Sequence, residues 1–246
     1  MADIITQPTP LSINTHMPMT EADAACSPLL RLLQLVSPAL PVGAYAYSQG
    51  MEYAVHAGWI HDEDTARDWI GELLAHSVSS LDAPVLIRLY DAWERDHRVE
   101  LHYWSRLLYA SRESAELQAE DRALASAMMR LLADLGIPEA KTSIEYAAVT
   151  YAALFALAAR RWQVPVGEAV QGYLWAWAEN QVAVALKLVP LGQTAGQRIL
   201  LQIGCQIPAL AQQAMMITDE EIGQLSHGLA MASAWHETQY TRLFRS

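Results

Sequence analysis

Chemistry needs side chains that move protons, hold metals or pair charges. The chain has eight histidines, at 16, 56, 61, 76, 97, 102, 227 and 236. No two stand three or four apart, so no helix presents a ready pair of metal ligands. His56 and His61 flank Gly58-Trp59 and adjoin Asp62, but ordinary surface histidines explain that spacing as well. Cys26 and Cys205 form no CxxC motif. Cys205 lies in an apolar helical pattern and is expected in the core. In SRESAELQAED (111–121), Glu113, Glu116 and Glu120 are three and four apart, which makes an acidic helix face. Arg112 stands four before Glu116 and is expected to pair with it. There is no GxxxxGK[ST], HExxH, GxSxG or GxGxxG pattern, so no catalytic and no metal-binding residue is assigned.

Three further stretches combine unusual residues. PALPVGAYAYSQGME (38–52) has Pro38, Pro41 and Gly43, which demand a loop, yet it is apolar and aromatic until Glu52. Free loops are usually polar, so this one is expected to be covered or to form a contact surface. ENQVAVALKLVPLGQTAGQRIL (179–200) has small residues Gly192, Ala195 and Gly196, with Gln193 and Gln197 four apart and Lys187 isolated on an apolar face. HETQYTRLFRS (236–246) offers Tyr240, Leu243 and Phe244 as anchors beside Arg242 and Arg245. Aromatics with Arg dominate binding hot spots, so it reads as a docking tail, for its own chain or for a partner.

The elements that position these stretches are helical. No segment alternates with a period of two, and the spacing predicts a single-domain all-α bundle of about eight to ten helices. Residues 1–25 read as a flexible leader, 26–235 as the helical domain and 236–246 as the tail. Ser27-Pro28 starts a helix to Val36 that is apolar nearly all round and therefore expected to be buried on more than one side. Asp62 caps the next helix, and Asp82-Ala83-Pro84 is expected to start another. A segment over 112–135 places Leu117, Leu124, Met128, Leu131 and Leu135 on one face before Gly136-Ile137-Pro138. Pro190-Leu191-Gly192 interrupts a long helix. The following one runs from 193 to 207 and stops at Pro208. Thr218 and Glu221 form a capping box expected to open the last helix.

Hydrophobic residues make up 52% of the chain, enough for a sizeable core, and the net charge is −11. That balance argues against nucleic acid or an anionic membrane as the main partner. The cysteine usage fits a reducing compartment. No apolar run of about 18 residues is uninterrupted, so no membrane span is expected and the cytoplasm is the default location.

Taken in order, SPALPVGAYAYSQGME, SRESAELQAED, NQVAVALKLVPLGQTAGQ and HETQYTRLFRS resemble the UreF family of urease accessory proteins. The likeness covers about residues 29–246. Met51 and Ala46 are small departures from the family pattern. The resemblance implies an all-α homodimer that is not an enzyme. It would bridge UreD (also called UreH) and the GTPase UreG, in the complex that delivers nickel to apo-urease, and would govern the GTPase step. Nickel and GTP would be handled by partners, with no cofactor on this chain. Partner contacts would fall on Tyr45, Tyr47, Ser48, Gln49, Glu52, Glu113, Glu116, Glu120, Glu237, Tyr240, Arg242, Leu243, Phe244 and Arg245. Gln193, Ala195, Gly196 and Gln197 would pack near the dimer interface. Arg242 or Arg245 is expected to reach the loop around Tyr45. The competing reading is a small helical enzyme with a pocket between helices.

Overall fold

A computed structural model describes residues 26–142, 149–223 and 226–246; the leader at 1–25 lies outside them. Among the described residues the chain is all-α with no strand. The helices of six residues or more are α1 (Pro28–Leu35), α2 (Met51–His56), α3 (Glu63–Glu94), α4 (Arg98–Ala110), α5 (Ala115–Asp134), α6 (Tyr151–Arg161), α7 (Val166–Leu188), α8 (Gln193–Gly204), α9 (Ile207–Met216) and α10 (His227–His236).

The centre is α6. Every residue from Ala152 to Ala159 is buried. A helix apolar all round must be enclosed on all sides, and α6 is packed by α1, α3, α4, α5 and α7. Its small alanines allow that close approach. The cap is Thr150, whose side chain accepts from the Ala153 N–H.

The break expected at Asp82-Pro84 is absent. α3 runs 32 residues from Glu63 to Glu94, with a π-type stretch over Leu74–Asp82. Asp62 caps it as expected, in a reciprocal box with Thr65. Pro84 lacks an N–H and would disrupt an α-turn. The wider turns just before it absorb that misfit, and the hydroxyls of Ser79 and Ser80 donate to the carbonyls of Ala75 and His76 (2.8 and 2.9 Å). α3 is long and apolar enough to cross a membrane, but its most apolar window is 78% buried inside the fold, as a core helix is.

Other expectations need correction. α1 is not buried on several sides: Leu29, Leu30 and Leu33 are more than half exposed, while Leu35 is buried. It lies across the outside of α6 and α7, with Leu32 seated on Gly172, so only one face meets the core. In α5 the buried set is Leu117, Leu124, Met128 and Leu132; Leu135 is exposed. The helix ends at Asp134, and Leu135 belongs to the turn that Gly136 completes at φ +82°. Pro208 does not stop the helix from 193. α8 ends at Gly204, and Pro208 sits in the first turn of α9, where a missing N–H costs nothing. Cys205, on that junction, is exposed rather than core. Glu221 does accept the Thr218 N–H (2.9 Å), but the box closes a short 3₁₀ turn. The last helix is capped by Ser226 instead. Pro190-Leu191-Gly192 does separate α7 from α8.

Candidate functional site: a clasp between loop and tail

The aromatic loop is covered by the tail. Gly43 and Gly50 take positive φ (81° and 78°) to turn the chain twice. Gly50 is also the contact point with α10: a Cβ there would stand 3.0 Å from Ala232 Cβ and from the Ser233 nitrogen. The turns bury Val42, Tyr47 and Ser48 and leave Tyr45 66% exposed.

The tail lies along this loop through backbone bonds. The Arg245 N–H donates to the Ala46 carbonyl (2.9 Å), and the Ser48 N–H donates to the Ser246 carbonyl (2.7 Å). The Ser48 hydroxyl donates to the same carbonyl. These bonds satisfy groups that a buried loop would otherwise leave unpaired. Phe244 is buried, and the Lys187 ammonium lies 5.4 Å from its ring and 6.0 Å from that of Tyr45. The isolated lysine thus has its place at the seam of loop and tail.

Glu52, in the first turn of α2, is the clasp's centre. Its carboxylate accepts the N–H groups of Leu243 (2.6 Å) and Phe244 (2.9 Å). It also faces Nε2 of His236 at 3.2 Å. Nδ1 of that wholly buried ring faces Glu116 at 2.6 Å. A neutral imidazole can donate to only one of these carboxylates; the doubly protonated ring serves both. Arg242 reaches the other Glu116 oxygen at 2.5 Å. Glu237 accepts the Ala115 N–H (2.9 Å) at the start of α5, where the helix dipole favours a carboxylate.

Beneath lies a second cluster. Glu120 accepts from Gln49 Nε2 (2.7 Å) and from the Ser246 hydroxyl (2.8 Å). Trp177 donates to Gln49 Oε1 (2.7 Å), which fixes the amide's orientation. Burial pushes the Glu120 carboxyl up to about 7, against those hydrogen bonds. Its neighbour Asp121 accepts the Tyr151 N–H (2.7 Å) and pairs with Arg112 (3.3 Å). Arg112 also forks onto Asp82 (2.7 and 3.1 Å), and Tyr173 donates to Asp82 (3.1 Å). Burial works against the Arg112 charge, but Asp82 and Asp121 outweigh it and hold the guanidinium well above its ordinary value. Burial, then the Asp82 charge, pushes the Tyr173 phenol well up. Gln49, Asp82, Arg112, Glu120, Asp121 and Tyr173 line part of a cavity of about 120 Å³.

The structure therefore gathers loop, acidic segment and tail in one place, with several residues turned inward. Glu120 is buried rather than on a solvated face, and Glu116 bonds to His236 and Arg242 rather than Arg112. Arg112 turns to Asp82 because Glu113 and Arg112 precede the helix, which starts only at Ala115. Arg242 and Arg245 do not reach the loop through their side chains; the Arg245 backbone does so. Glu113, Tyr240 and Leu243 make none of the clasp's side-chain bonds, and Tyr240 is fully exposed. In 193–197, Ala195 and Gly196 are buried within the chain, with Gly196 against Leu186 of α7, while Gln193 and Gln197 are exposed. Asp82, Trp177 and Tyr173 were not expected at the site, and His236 and Arg112, though within the tail and the acidic segment, were not named as partner contacts. The available signal was a lone charge inside an apolar run, as in SSLDAPVL and AMASAWH. Among the described residues no cluster of three His, Cys, Asp or Glu has metal-binding geometry.

The UreF family model matches residues 60–204 of this chain. The urease accessory protein UreF of Alkalilimnicola ehrlichii is 50% identical over 88% of this chain and 95% of its own length. The UreF of Teredinibacter turnerae is 47% identical over 89% of this chain and 98% of its own, and that of an Azoarcus species 46% identical over 89% and 96%. With the family's model matching more than half the chain, and relatives this similar along nearly their whole length, the chain belongs to the UreF family of urease accessory proteins.

Proposed function

We propose that this chain is a non-catalytic scaffold of urease maturation that joins UreD to the GTPase UreG. Family membership supports a role in urease maturation. The observation that carries the finer reading is the clasp. It satisfies the backbone of loop and tail internally, yet leaves the Tyr45, Tyr240 and Leu243 side chains 66%, 102% and 68% exposed. Large apolar tips on a pre-ordered backbone suit protein recognition, since the ordering cost of roughly 1–2 kcal/mol per residue is already met in the free chain. Nickel and GTP, on this reading, are carried by partners, the chain acts as a homodimer, and the work is done in the cytoplasm.

Light scattering on gel filtration tests it, with the chain mixed with its UreD partner. Tyr45→Ala and Leu243→Asp should abolish the complex while leaving the melting temperature unchanged. An undiminished complex in both variants would move the UreD contact away from the clasp.

A further inference from the structure

A second surface sits behind the clasp. Tyr53 of α2, Trp59 in the turn after it, Trp69 of α3 and Trp235 of α10 form one aromatic cluster. Ring centroids are 5.9 Å apart for Tyr53–Trp59, 5.3 Å for Tyr53–Trp235, 6.0 Å for Trp59–Trp235 and 6.2 Å for Trp59–Trp69. This is not a sealed core. Trp59 and Trp235 are 39% and 41% exposed, and a groove of about 380 Å³ runs from Tyr53 and Trp235 to Tyr240. That volume falls within the ~300–1,000 Å³ of ligand pockets.

Its chemistry selects a cation. Aromatic faces carry negative potential. Among the described residues no lysine or arginine lines the groove, and His56 is the basic residue in its wall. Arg242, next along the tail, is engaged with Glu116. Asp62, three residues beyond Trp59, and Glu237, two beyond Trp235, are exposed carboxylates close in sequence to the cluster, with His61 paired to Asp62 and the Ala115 N–H on Glu237. Gln239 adds a further sign. Its Nε2 donates to the Thr241 carbonyl (2.9 Å), which makes Oε1 the acceptor. That acceptor is buried and has no hydrogen-bond partner among the described residues.

We propose that this groove receives an arginine side chain from an extended, basic segment of a partner protein. A guanidinium is planar, stacks on aromatic faces and carries N–H donors in several directions, so it suits the rings and Gln239 better than a lysine ammonium does. The −11 net charge of the chain favours approach of such a segment. The groove shares Tyr240 with the exposed tips but not Tyr45 or Leu243, and the inference stands whether or not those two bind UreD.

The test is a titration of the full chain with a blocked Gly-Arg-Gly-Arg-Gly peptide, followed by NMR on the indole N–H signals. The eight tryptophans make bulk fluorescence ambiguous. Trp59 and Trp235 signals, assigned through Phe substitutions, should shift saturably. The same peptide with citrulline, which keeps the shape and loses the charge, should leave them in place. Tyr240→Ala, at a side chain with nothing packed on it, should weaken arginine-peptide binding roughly three-fold, the size of one exposed cation–π contact. Equal binding of the citrulline peptide would show an apolar groove and overturn the proposal. So would the absence of any shift, or indifference to Tyr240→Ala.

Discussion

Two charged clusters meet at Glu120 and Asp121, and they hold different things. The inner one, Arg112 with Asp82 and Asp121, ties α5 and the turn before it to α3, and through Tyr151 and Tyr173 to α6 and α7. Its partners stand on or beside helices already fixed by the apolar core. The outer one, Glu52, Glu116, His236 and Arg242, ties α2 and α5 to the tail, which has only Phe244 and Ser246 buried beyond His236. Similar residue types thus make a strut in one place and a clasp in the other. What separates them is how much independent packing surrounds each pair.

The sharpest test of that contrast is at the strut. Arg112→Met leaves Asp82 and Asp121 buried with no countercharge. Removing one side of a buried pair typically costs about 3–5 kcal/mol. Denaturant unfolding should therefore show a lower midpoint with loss of the whole fold at once. A loss below about 1 kcal/mol would place the strut among ordinary surface pairs.

Glu120 stands at the boundary, and pH addresses it. Its carboxyl is raised to about 7 by burial. The folded chain therefore holds a proton that the unfolded chain releases above an ordinary carboxylate value. Stability from this group is complete below about pH 4 and falls as pH rises through 7. The protonated acid can still donate to the Ser246 hydroxyl, which rotates to accept. Glu120→Gln should remove this slope, and by pH 8 should offset a loss of up to about 3 kcal/mol. Melting curves between about pH 5 and 8 decide it: an unchanged slope in the variant would assign the titration elsewhere.

These two clusters also show what could be read in advance. Asp62 as a cap and the Pro190–Gly192 break follow from residues within a turn of one another, and both are found. The acidic motif, the loop and the tail were visible as unusual compositions, and they do converge. Their pairing was not visible. Ser48 and Ser246 are 198 residues apart, and Glu52 meets His236 across 184. Spacing on one helix predicted Arg112 with Glu116, but Arg112 precedes the helix and turns to Asp82 and Asp121, which lie deeper. The exposed face of α1 was misread for a related reason, since an all-apolar helix does not reveal which side its neighbours occupy.

The clasp itself should open without unfolding the chain. Glu52→Ala removes the acceptor for two tail N–H groups and one carboxylate facing His236. Bonds to a charged acceptor contribute about 1.5–3 kcal/mol. Hydrogen exchange at Leu243 and Phe244 should then quicken about ten- to hundred-fold, while α6 amides stay protected. Equal loss of protection in both would merge clasp and strut into one cooperative unit.

Arg242→Ala gives the smallest effect and the finest division. Its side chain is 39% exposed, so solvent screens its contact with Glu116 even at 2.5 Å. Such a pair contributes about 0.2–1 kcal/mol. Tail exchange should rise by about two- to five-fold, and the global melt should not move. Because Glu116 keeps His236 when Arg242 is gone, the loss stays confined to one end of the clasp. If Arg242→Ala loosened the tail as far as Glu52→Ala does, the guanidinium rather than the Glu52 carboxylate would be the member that closes it.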